Sequence, residues 1–433
     1  MPRYSAAPRF LYDLLQLRRN THRRRSELVA LQEKKLRAIV RHAYDSVPFY
    51  HRFLESHGIS PTEIRSISDL KKLPLVTKRE VQENPYDMVS WKVDPSKCVK
   101  LKTSGSTGFP LTVIKGRDDL NFQHAVSLRQ SLECGERLRD KVAQVRWTGS
   151  ASAQERARNP QKPLYEKIGF LRNEWILADR VSWESIIDTL SLRKPDVIVS
   201  YPGILKPIAE RAENKLHPRL VFSTAEILDK RTRTLIVESL GAQVIDSYGS
   251  VEAGDIAWEC PQQHDGYHMN VDSVLVEFVR DEENVAAGED GEIVITNLFN
   301  YAMPLIRYRL GDIGSLRAEE CSCGRTLPLM QGLKGRCNDF IILPDGRELS
   351  PWFFWNMIDL NGVSEFRIVQ EKTDVIRVWL KPTGRYGKEQ AERSAMGLRR
   401  IFGEQVNTLI EVVDEIPRDS SEKQRSVVSH VSS

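Results

Sequence analysis

A loop rich in glycine and hydroxyl side chains carries the residue types best suited to holding a charged ligand. It lies between a strand-like lead-in at 97–101 and an extended exit at 111–114. Glycine lets backbone N–H groups point inward and Ser and Thr add donors, which suits phosphate oxygens. Phe109 and Pro110 stand where a Walker A loop needs Lys and Ser/Thr, and alone the loop is equally compatible with a hairpin turn. Its residues are Thr103, Ser104, Gly105, Ser106, Thr107 and Gly108.

Four further polar motifs follow this loop in order along the chain. They are residues 246–252 (DSYGSVE), 308–312 (YRLGD), 335–339 (GRCND) and 416–425 (IPRDSSEKQR). In this order and at this approximate spacing, the five motifs resemble the core motifs of the adenylate-forming superfamily of acyl- and aryl-CoA ligases. Within that superfamily, residues 31–425 are most similar to the phenylacetate–CoA ligase branch and its capsule-biosynthesis relatives.

The resemblance implies an ATP-dependent ligase that activates a carboxylic acid. ATP and the acid first form an acyl- or aryl-adenylate and pyrophosphate, and the acyl group then passes to the thiol of coenzyme A. An amide synthetase or carrier-loading enzyme, with an amine or carrier thiol as acceptor, is an alternative because no sharp motif marks the acceptor. A non-catalytic nucleotide-binding scaffold is a second alternative. The expected partners are therefore ATP, Mg²⁺, CoA or another acceptor, and a small carboxylic acid, without nucleic acid.

The resemblance assigns the nucleotide site to the first two motifs. The loop at 103–108 would clamp the β- and γ-phosphates. Tyr248 would stack on adenine, while Gly249 would let the backbone pass close to it. Glu252 would coordinate Mg²⁺, a hard cation that prefers carboxylate and phosphate oxygens. The remaining residues expected at the nucleotide are Ser223, Ala225, Glu226, Asp246 and Ser247.

The later motifs would supply a ribose contact, a hinge and a catalytic cation. Asp312 would accept both ribose hydroxyls, because a carboxylate has two oxygens spaced for a diol, and Arg336 would reinforce ribose or phosphate contacts. Asn338 matches the hinge between two domains, which needs only to absorb a backbone change. Lys423 would stabilise the charge that develops as the carboxylate attacks the α-phosphorus. Glu422 departs from the family pattern, in which Gly usually precedes this lysine.

Three cysteines and a histidine form a second constellation, independent of ATP. Cys260, Cys321 and Cys323 with one imidazole are appropriate to a closed tetrahedral Zn²⁺ site. Cys-x-Cys is tighter than the usual Cys-x₂-Cys, so spacing alone does not decide for zinc. Some members of the ligase branch carry the same arrangement, and His268 matches their pattern better than His264, although both stay candidates. A closed site of this kind would stabilise the fold without taking part in catalysis.

Three residues at expected strand ends outline a pocket for the acid. Open α/β sheets bind ligands at the carboxyl ends of their strands, which is where Trp147, Tyr201 and Gly203 are expected. The aromatic character of this set suggests an aryl or cyclic acid. Packing in the hydrophobic core explains the same residues equally well.

Length and composition set the broad class of the protein. A chain of 433 residues exceeds what one hydrophobic core holds, so two or three domains are expected. The net charge of +4 gives no case for a polyanionic partner, and the basic run at 18–25 is interpreted as a solvated helix end. The sequence shows no stretch of ~18 apolar residues and no signal-peptide core. Six cysteines form no dense framework. We therefore expect a cytoplasmic protein.

Hydrophobic periodicity predicts amphipathic helices that alternate with short apolar strands, which implies a buried parallel sheet. Two β-rich runs at 274–279 and 291–296 predict an antiparallel hairpin. A frayed terminus is expected at 426–433. The other predicted helices lie at 118–134, 182–192, 203–214, 229–240 and 387–402, and the other predicted strands at 142–147, 197–200, 220–223 and 243–246.

The expected fold class is α/β, with a large N-terminal adenylation domain and a small, mobile α+β C-terminal domain. The large domain would combine α/β subdomains with a barrel-like β subdomain. Its expected bounds are 1–334, divided into a helical lead-in (1–95), an α/β core (96–272) and a β-rich part with the candidate zinc site (273–334). The C-terminal lid would span 335–433.

Overall fold

The structure is a computed structural model that describes residues 6–103, 111–146, 172–178, 180–336, 341–345, 347–349, 363–382, 387–416 and 426–431. The chain divides into two compact units, one of residues 1–310 and 315–332 and the other of residues 311–314 and 333–433. No helix in the described ranges has the length and apolar character needed to cross a membrane.

Helices and strands alternate along much of the chain. The α-helices are α1 (Ala6–Asn20), α2 (Arg25–Ser46), α3 (Pro48–Ser56), α4 (Lys78–Glu83), α5 (Arg117–Glu133), α6 (Trp183–Arg193), α7 (Pro202–Arg211), α8 (Lys230–Leu240) and α9 (Gly387–Phe402). The strands are β1 (Val99–Lys102), β2 (Thr112–Lys115), β3 (Lys141–Arg146), β4 (Arg172–Leu177), β5 (Val197–Ser200), β6 (Leu220–Thr224), β7 (Gln243–Ser250), β8 (Gly254–Glu259), β9 (Tyr267–Met269), β10 (Val274–Arg280), β11 (Glu283–Asn284), β12 (Gly291–Asn297), β13 (Tyr308–Gly314), β14 (Leu329–Met330), β15 (Gly335–Arg336), β16 (Ile341–Ile342), β17 (Glu348–Leu349), β18 (Val363–Lys372), β19 (Val375–Pro382), β20 (Asn407–Val412) and β21 (Val427–Ser429).

Local sequence signals fix where several helices begin and end. The Thr77 hydroxyl accepts the Glu80 N–H at 3.2 Å and starts α4. The Asp229 carboxylate accepts the Thr232 N–H at 3.0 Å and starts α8, which ends at Gly241 with a φ of +63°. Side-chain acceptors satisfy the free N–H groups of a first turn, and glycine enters the left-handed region at little cost, so these signals are readable from sequence.

An eight-stranded sheet forms the centre of the first unit, in the order β14-β9-β8-β7-β6-β5-β3-β4. Strands β3 to β7 are parallel to one another, whereas β8, β9 and β14 continue the sheet in antiparallel pairs. Helices α6, α7 and α8 bury apolar residues against the parallel part. The predicted parallel sheet is confirmed, and the edge strand β4 and the antiparallel extension are additions to it.

Strand β7 is longer than the predicted 243–246. Its first half pairs with β6, and its second half stays in the sheet because it pairs with β8, as in Tyr248 with Ala257. A sequence window cannot contain this second partner, since the pairing requires the chain to reverse direction first. The extension places residues 247–250 on a strand rather than in a loop.

The predicted hairpin after residue 273 is confirmed. Strand β10 pairs with β12 in antiparallel register, with Val276 opposite Ile295 and Phe278 opposite Ile293. A Cβ atom at Gly291 would lie 2.7 Å from the backbone of Phe278, so only glycine fits this position.

The second unit contains a four-stranded sheet in the order β20-β19-β18-β21 with its own apolar core, to which α9 contributes Leu398 and Phe402. The expectation of a frayed terminus is wrong over the described residues 426–431. Val427 and Val428 are buried, and β21 pairs in parallel with β18. Two β-branched residues that bury their side chains explain why this short segment holds its place.

A buried ion pair ties the helices of the first unit to the loop after β9. The Arg129 guanidinium donates to the Asp272 carboxylate at 3.0 Å, and neither side chain is exposed. Asn20 donates to the other oxygen of Asp272 at 2.9 Å, and Lys35 donates to the Asp272 backbone carbonyl at 2.5 Å. Burial raises the pKa of Asp272, but Arg129 and Lys35 outweigh it and hold that pKa below its ordinary value.

We predict that Asp272→Asn destabilises the first unit by about 3–5 kcal/mol, because Arg129 keeps a buried charge without its counter-ion. Urea denaturation followed by tryptophan fluorescence measures the effect. The matched control is Glu83→Gln, which removes a carboxylate from the exposed Arg79–Glu83 pair and should leave the transition unchanged. Equal small shifts in both variants would show that the buried pair does not hold the helices in place.

Candidate active site and metal centre

The carboxyl ends of β6 and β7 bring most of the predicted adenine residues together. Ser223 lies opposite Asp246, and Thr224 lies opposite Ser247, in a parallel ladder. The Ser247 hydroxyl donates to the Ser223 carbonyl at 3.0 Å, which fixes the two strand ends to each other. Ligands of open α/β sheets bind outside this edge, and the two motifs lie there together.

The segment that follows β6 is held in an uncommon conformation. Ala225 has a φ of +68°, a left-handed conformation that costs a residue with a Cβ of order 1 kcal/mol. The turn directs Glu226 to α7, where its carboxylate accepts the Gly203 N–H at 2.8 Å. Glu226 and Gly203, predicted for the adenine and acid sites, therefore meet at the N-terminus of α7, where a carboxylate is stabilised.

Gly249 makes a close backbone approach to β8. A Cβ atom at Gly249 would lie 2.7 Å from the Gly254 carbonyl oxygen and 3.3 Å from the Asp255 Cα. The register of β7 and β8 shifts between Tyr248 and Gly249, as at a β-bulge. Bulges bend a strand next to a binding site, so the glycine serves to re-aim the end of β7.

Glu252 is buried in the turn between β7 and β8. Its backbone carbonyl accepts from the Asn297 side chain at 3.1 Å, and its carboxylate is 3.5 Å from the Tyr308 hydroxyl. The Tyr308 side chain is itself buried. The YRLGD motif was noted for Asp312, and sequence reasoning missed that its tyrosine approaches Glu252.

Asp246 is linked to β8 and β9. The Tyr267 hydroxyl donates to the Asp246 carboxylate at 2.7 Å, and the Asp246 backbone N–H donates to the Glu259 carboxylate at 2.8 Å. Arg233 donates to the same Glu259 oxygen at 2.8 Å. Burial raises the pKa of Asp246 to about 6, although the bond from Tyr267 opposes the rise. Sequence reasoning missed Tyr267 and Glu259, because both act across strands that no local pattern predicted.

The four predicted metal ligands converge in the first unit. One ligand atom from each of Cys260, His268, Cys321 and Cys323 lies within 4.8 Å of every other. The Sγ atoms of Cys260 and Cys321 are 3.6 Å apart, and the Cys323 Sγ lies 3.3 Å from Nε2 of His268. His264 lies outside this cluster and places its Nδ1 3.3 Å from Glu259. The geometry selects His268 from the two candidates.

The histidine of the cluster is held in the tautomer that a metal requires. Its Nδ1 lies 3.2 Å from the Leu327 carbonyl, which can only accept, so Nδ1 carries the proton and Nε2 presents its lone pair to the thiols. Burial lowers the pKa of His268 to about 4, which keeps the ring neutral at pH 7. Trp258 covers the ring with a centroid separation of 4.9 Å. Three thiols and a neutral imidazole fit a structural Zn²⁺ ion.

The other predicted residues fall in separate places. Thr103 closes the base of the glycine-rich loop, since its hydroxyl accepts the Leu111 N–H at 2.8 Å. Asp312 lies in the second unit, opposite Arg336 in the ladder of β13 and β15. Tyr201 is buried at the end of β5. The residues outside the described ranges are Ser104, Gly105, Ser106, Thr107, Gly108, Trp147, Asn338, Glu422 and Lys423.

Comparisons with known proteins agree with this architecture. The CapK C-terminal domain matches residues 341–430. A phenylacetate–coenzyme A ligase of Thermus thermophilus is 28% identical over 334 residues, which cover 74% of this chain and 72% of that protein. Protein CapK of Staphylococcus aureus is 21% identical over 432 residues, which cover 94% of this chain and 90% of that protein.

A solved structure supports the fold independently of motifs. 2-Hydroxyisobutyryl-CoA ligase, in its postadenylation state with an acyl-AMP, matches with a TM-score of 0.78 and 22% identity, over 99% of this chain and 93% of that one. The likeness confirms the predicted α/β fold with a separate C-terminal domain. The chain is similar in sequence to phenylacetate–coenzyme A ligases, shares the fold of 2-hydroxyisobutyryl-CoA ligase and matches the CapK C-terminal domain over residues 341–430.

Proposed function

We propose that the protein is an ATP-dependent, AMP-forming acid–coenzyme A ligase that works through an acyl- or aryl-adenylate. The observation that carries the proposal is the ladder between β6 and β7, which brings the 223–226 and 246–249 motifs to one sheet edge. Glu252 lies in the turn between β7 and β8, close in sequence to the β7 motif. A site for a metal–nucleotide complex needs such a carboxylate near the residues that bind the nucleotide. The acid and the acceptor CoA are substrates, and a cytoplasmic location is part of the proposal.

Each motif has a defined task in this reaction. Tyr248 would bind adenine, and the loop at 103–108 would hold the β- and γ-phosphates with N–H and hydroxyl donors. Glu252 would hold Mg²⁺, which supplies charge neutralisation at the phosphates as pyrophosphate leaves. Asp312 and Arg336 of the second unit are assigned to the ribose. Lys423 would stabilise the α-phosphate charge in the first half-reaction, and Asn338 would act as the hinge before the second.

Zn²⁺ is proposed as a structural ion at Cys260, His268, Cys321 and Cys323. The four donors would fill a closed tetrahedral site, whereas a catalytic zinc ion keeps one position open for water or substrate. The ligands come from the ends of β8 and β9 and from the segment 321–323, which has no strand of its own. The ion would therefore fix this segment against the sheet.

We predict that the protein catalyses acid-dependent exchange of labelled pyrophosphate into ATP, with aryl acids such as phenylacetate as first substrates to test. Glu252→Gln should raise the Mg·ATP concentration needed for exchange, and Lys423→Ala should lower the exchange rate about 10²–10³-fold. Glu238→Gln, on the exposed face of α8, is the control and should behave as the wild type. A panel of aryl, fatty and amino acids that gives no exchange with folded protein would contradict the proposal.

We predict one zinc per chain in freshly purified protein, measured by mass spectrometry of the metal content. Cys321→Ser should lose the metal and lower the melting temperature, because structural metal binding contributes to folding free energy. Cys98→Ser, whose thiol lies outside the cluster, should do neither. His264→Ala should keep the zinc. Loss of zinc from His264→Ala with retention in His268→Ala would contradict the assignment.

A further inference from the structure

A buried arginine lies at the edge of the sheet where the acid is expected to bind. Arg146 is the last residue of β3, and its side chain is 6% exposed. Its Nη1 atom is fully buried and has no hydrogen-bond partner among the residues that the structure describes. Burial lowers the pKa of this guanidinium, and the nearby Tyr201 and Asp255 only partly oppose that shift. A buried, charged arginine with an unbonded nitrogen is costly in free energy, and an anion that accepts its N–H groups would lower that cost.

Among the residues that the structure describes, none supplies an anion that pairs with Arg146 alone. Its guanidinium carbon lies 4.9 Å from the centre of the Tyr201 ring, a cation–π contact that stabilises the charge without accepting its N–H groups. Asp255 accepts a hydrogen bond from the Ser127 hydroxyl and interacts electrostatically with Lys115, His124 and Arg129. This single carboxylate is therefore shared among several cations.

The position of Arg146 relates it to the proposed reaction centre. Tyr201, whose ring faces the guanidinium, directly follows β5 and precedes α7, whose Gly203 N–H donates to Glu226. Asp255, which interacts electrostatically with Arg146, lies opposite Gly249 in the ladder of β7 and β8. Arg146 thus lies at the carboxyl edge of the same parallel strands, with β5 between its own strand and β6. A ligand that extends along this edge from the ends of β6 and β7 would approach Arg146.

We propose that Arg146 recognises a second anionic group on the acid, so that the substrate class is a dicarboxylic acid or an equivalent dianion. One carboxyl group would be activated at the α-phosphate, and the other would receive paired N–H groups from the arginine. The planar guanidinium fork suits a carboxylate, and Tyr201 holds the fork in position from its ring face. This inference rests on the proposed ligase function.

The kinetic test compares acids that differ only in the second carboxyl group. Pyrophosphate exchange is measured with succinate against butyrate, and with 2-carboxyphenylacetate against phenylacetate. A buried site built to bond a polar group rejects the analogue that lacks it, so the wild type should prefer the diacid of at least one pair by about 10²-fold or more in kcat/KM. Arg146→Gln should abolish the preference by lowering only the diacid rate. Arg137→Gln, at an exposed loop position, should preserve the preference.

Other patterns would overturn the inference. Equal loss with monoacids and diacids, or a raised KM for ATP, would assign Arg146 to the reacting carboxylate or the nucleotide. A raised KM for CoA alone would assign it to the phosphates of CoA. A lowered melting temperature with an unchanged preference would make it structural, and Arg146→Lys, which keeps the charge, then separates folding from recognition.

A calorimetric titration with succinate and butyrate separates failure of this inference from failure of the proposed ligase. It is carried out on wild-type and Arg146→Gln protein in the presence of ATP and Mg²⁺. Succinate binding that depends on Arg146 supports the anion site even if no exchange is detected. Absence of selective diacid binding in a protein that exchanges pyrophosphate with monoacids rejects the anion site and leaves the ligase proposal standing.

Discussion

Strand β7 pairs with β6 on one side and with β8 on the other, and both the candidate active site and the metal centre depend on these two ladders. The parallel ladder places the nucleotide motifs at one edge. The antiparallel ladder carries the chain back past Glu252 and on to the metal ligands. Moving β7 by one residue would turn its side chains to the opposite face, so the pairing register is a functional constraint as well as a structural one.

The alternation of side chains along β8 and β9 connects the two sites. Glu259 and Tyr267 are cross-strand partners that bond to Asp246 on β7. Cys260 directly follows Glu259 and His268 directly follows Tyr267, and both belong to the candidate metal cluster. Successive residues of a strand point to opposite faces. One pair of strands thus carries the candidate metal ligands on one face and the bonds to Asp246 on the other, and a metal bound to these ligands would stabilise β7 through β8 and β9.

Buried charges in the first unit fall into two kinds. Arg129 and Asp272 form an ion pair, as do Arg307 and Glu277, and the closest charged atoms of each pair are 3.0 Å apart. These pairs join segments that are distant in sequence. Within the described part of the chain, Arg146 has an aromatic ring and a shared carboxylate near it and no ion pair of its own. The contrast indicates that the two ion pairs stabilise the fold and that Arg146 binds a ligand.

The sequence was most informative where one short segment contains the whole signal. The crossover helices, the apolar parallel strands, the β10–β12 hairpin and the Cys₃His set could all be predicted, because periodicity, turn residues and ligand chemistry are local properties. Strand β21, the longer β7, and the roles of Tyr267 and Tyr308 could not, because each depends on a partner far away in the chain. Arg146 also gave no signal, since only burial distinguishes it from any arginine that ends a strand.

The central claim, that the protein activates its acid as an adenylate, is tested most directly by following the oxygen atoms of the acid. The protein is supplied with ATP, Mg²⁺, CoA and an accepted acid labelled with oxygen-18 in its carboxyl group, and the AMP is analysed by mass spectrometry. Attack of the carboxylate on the α-phosphorus followed by acyl transfer to CoA leaves one carboxylate oxygen in AMP. The account therefore predicts AMP that carries one labelled oxygen per thioester formed. Unlabelled AMP, or ADP together with labelled inorganic phosphate, would contradict it.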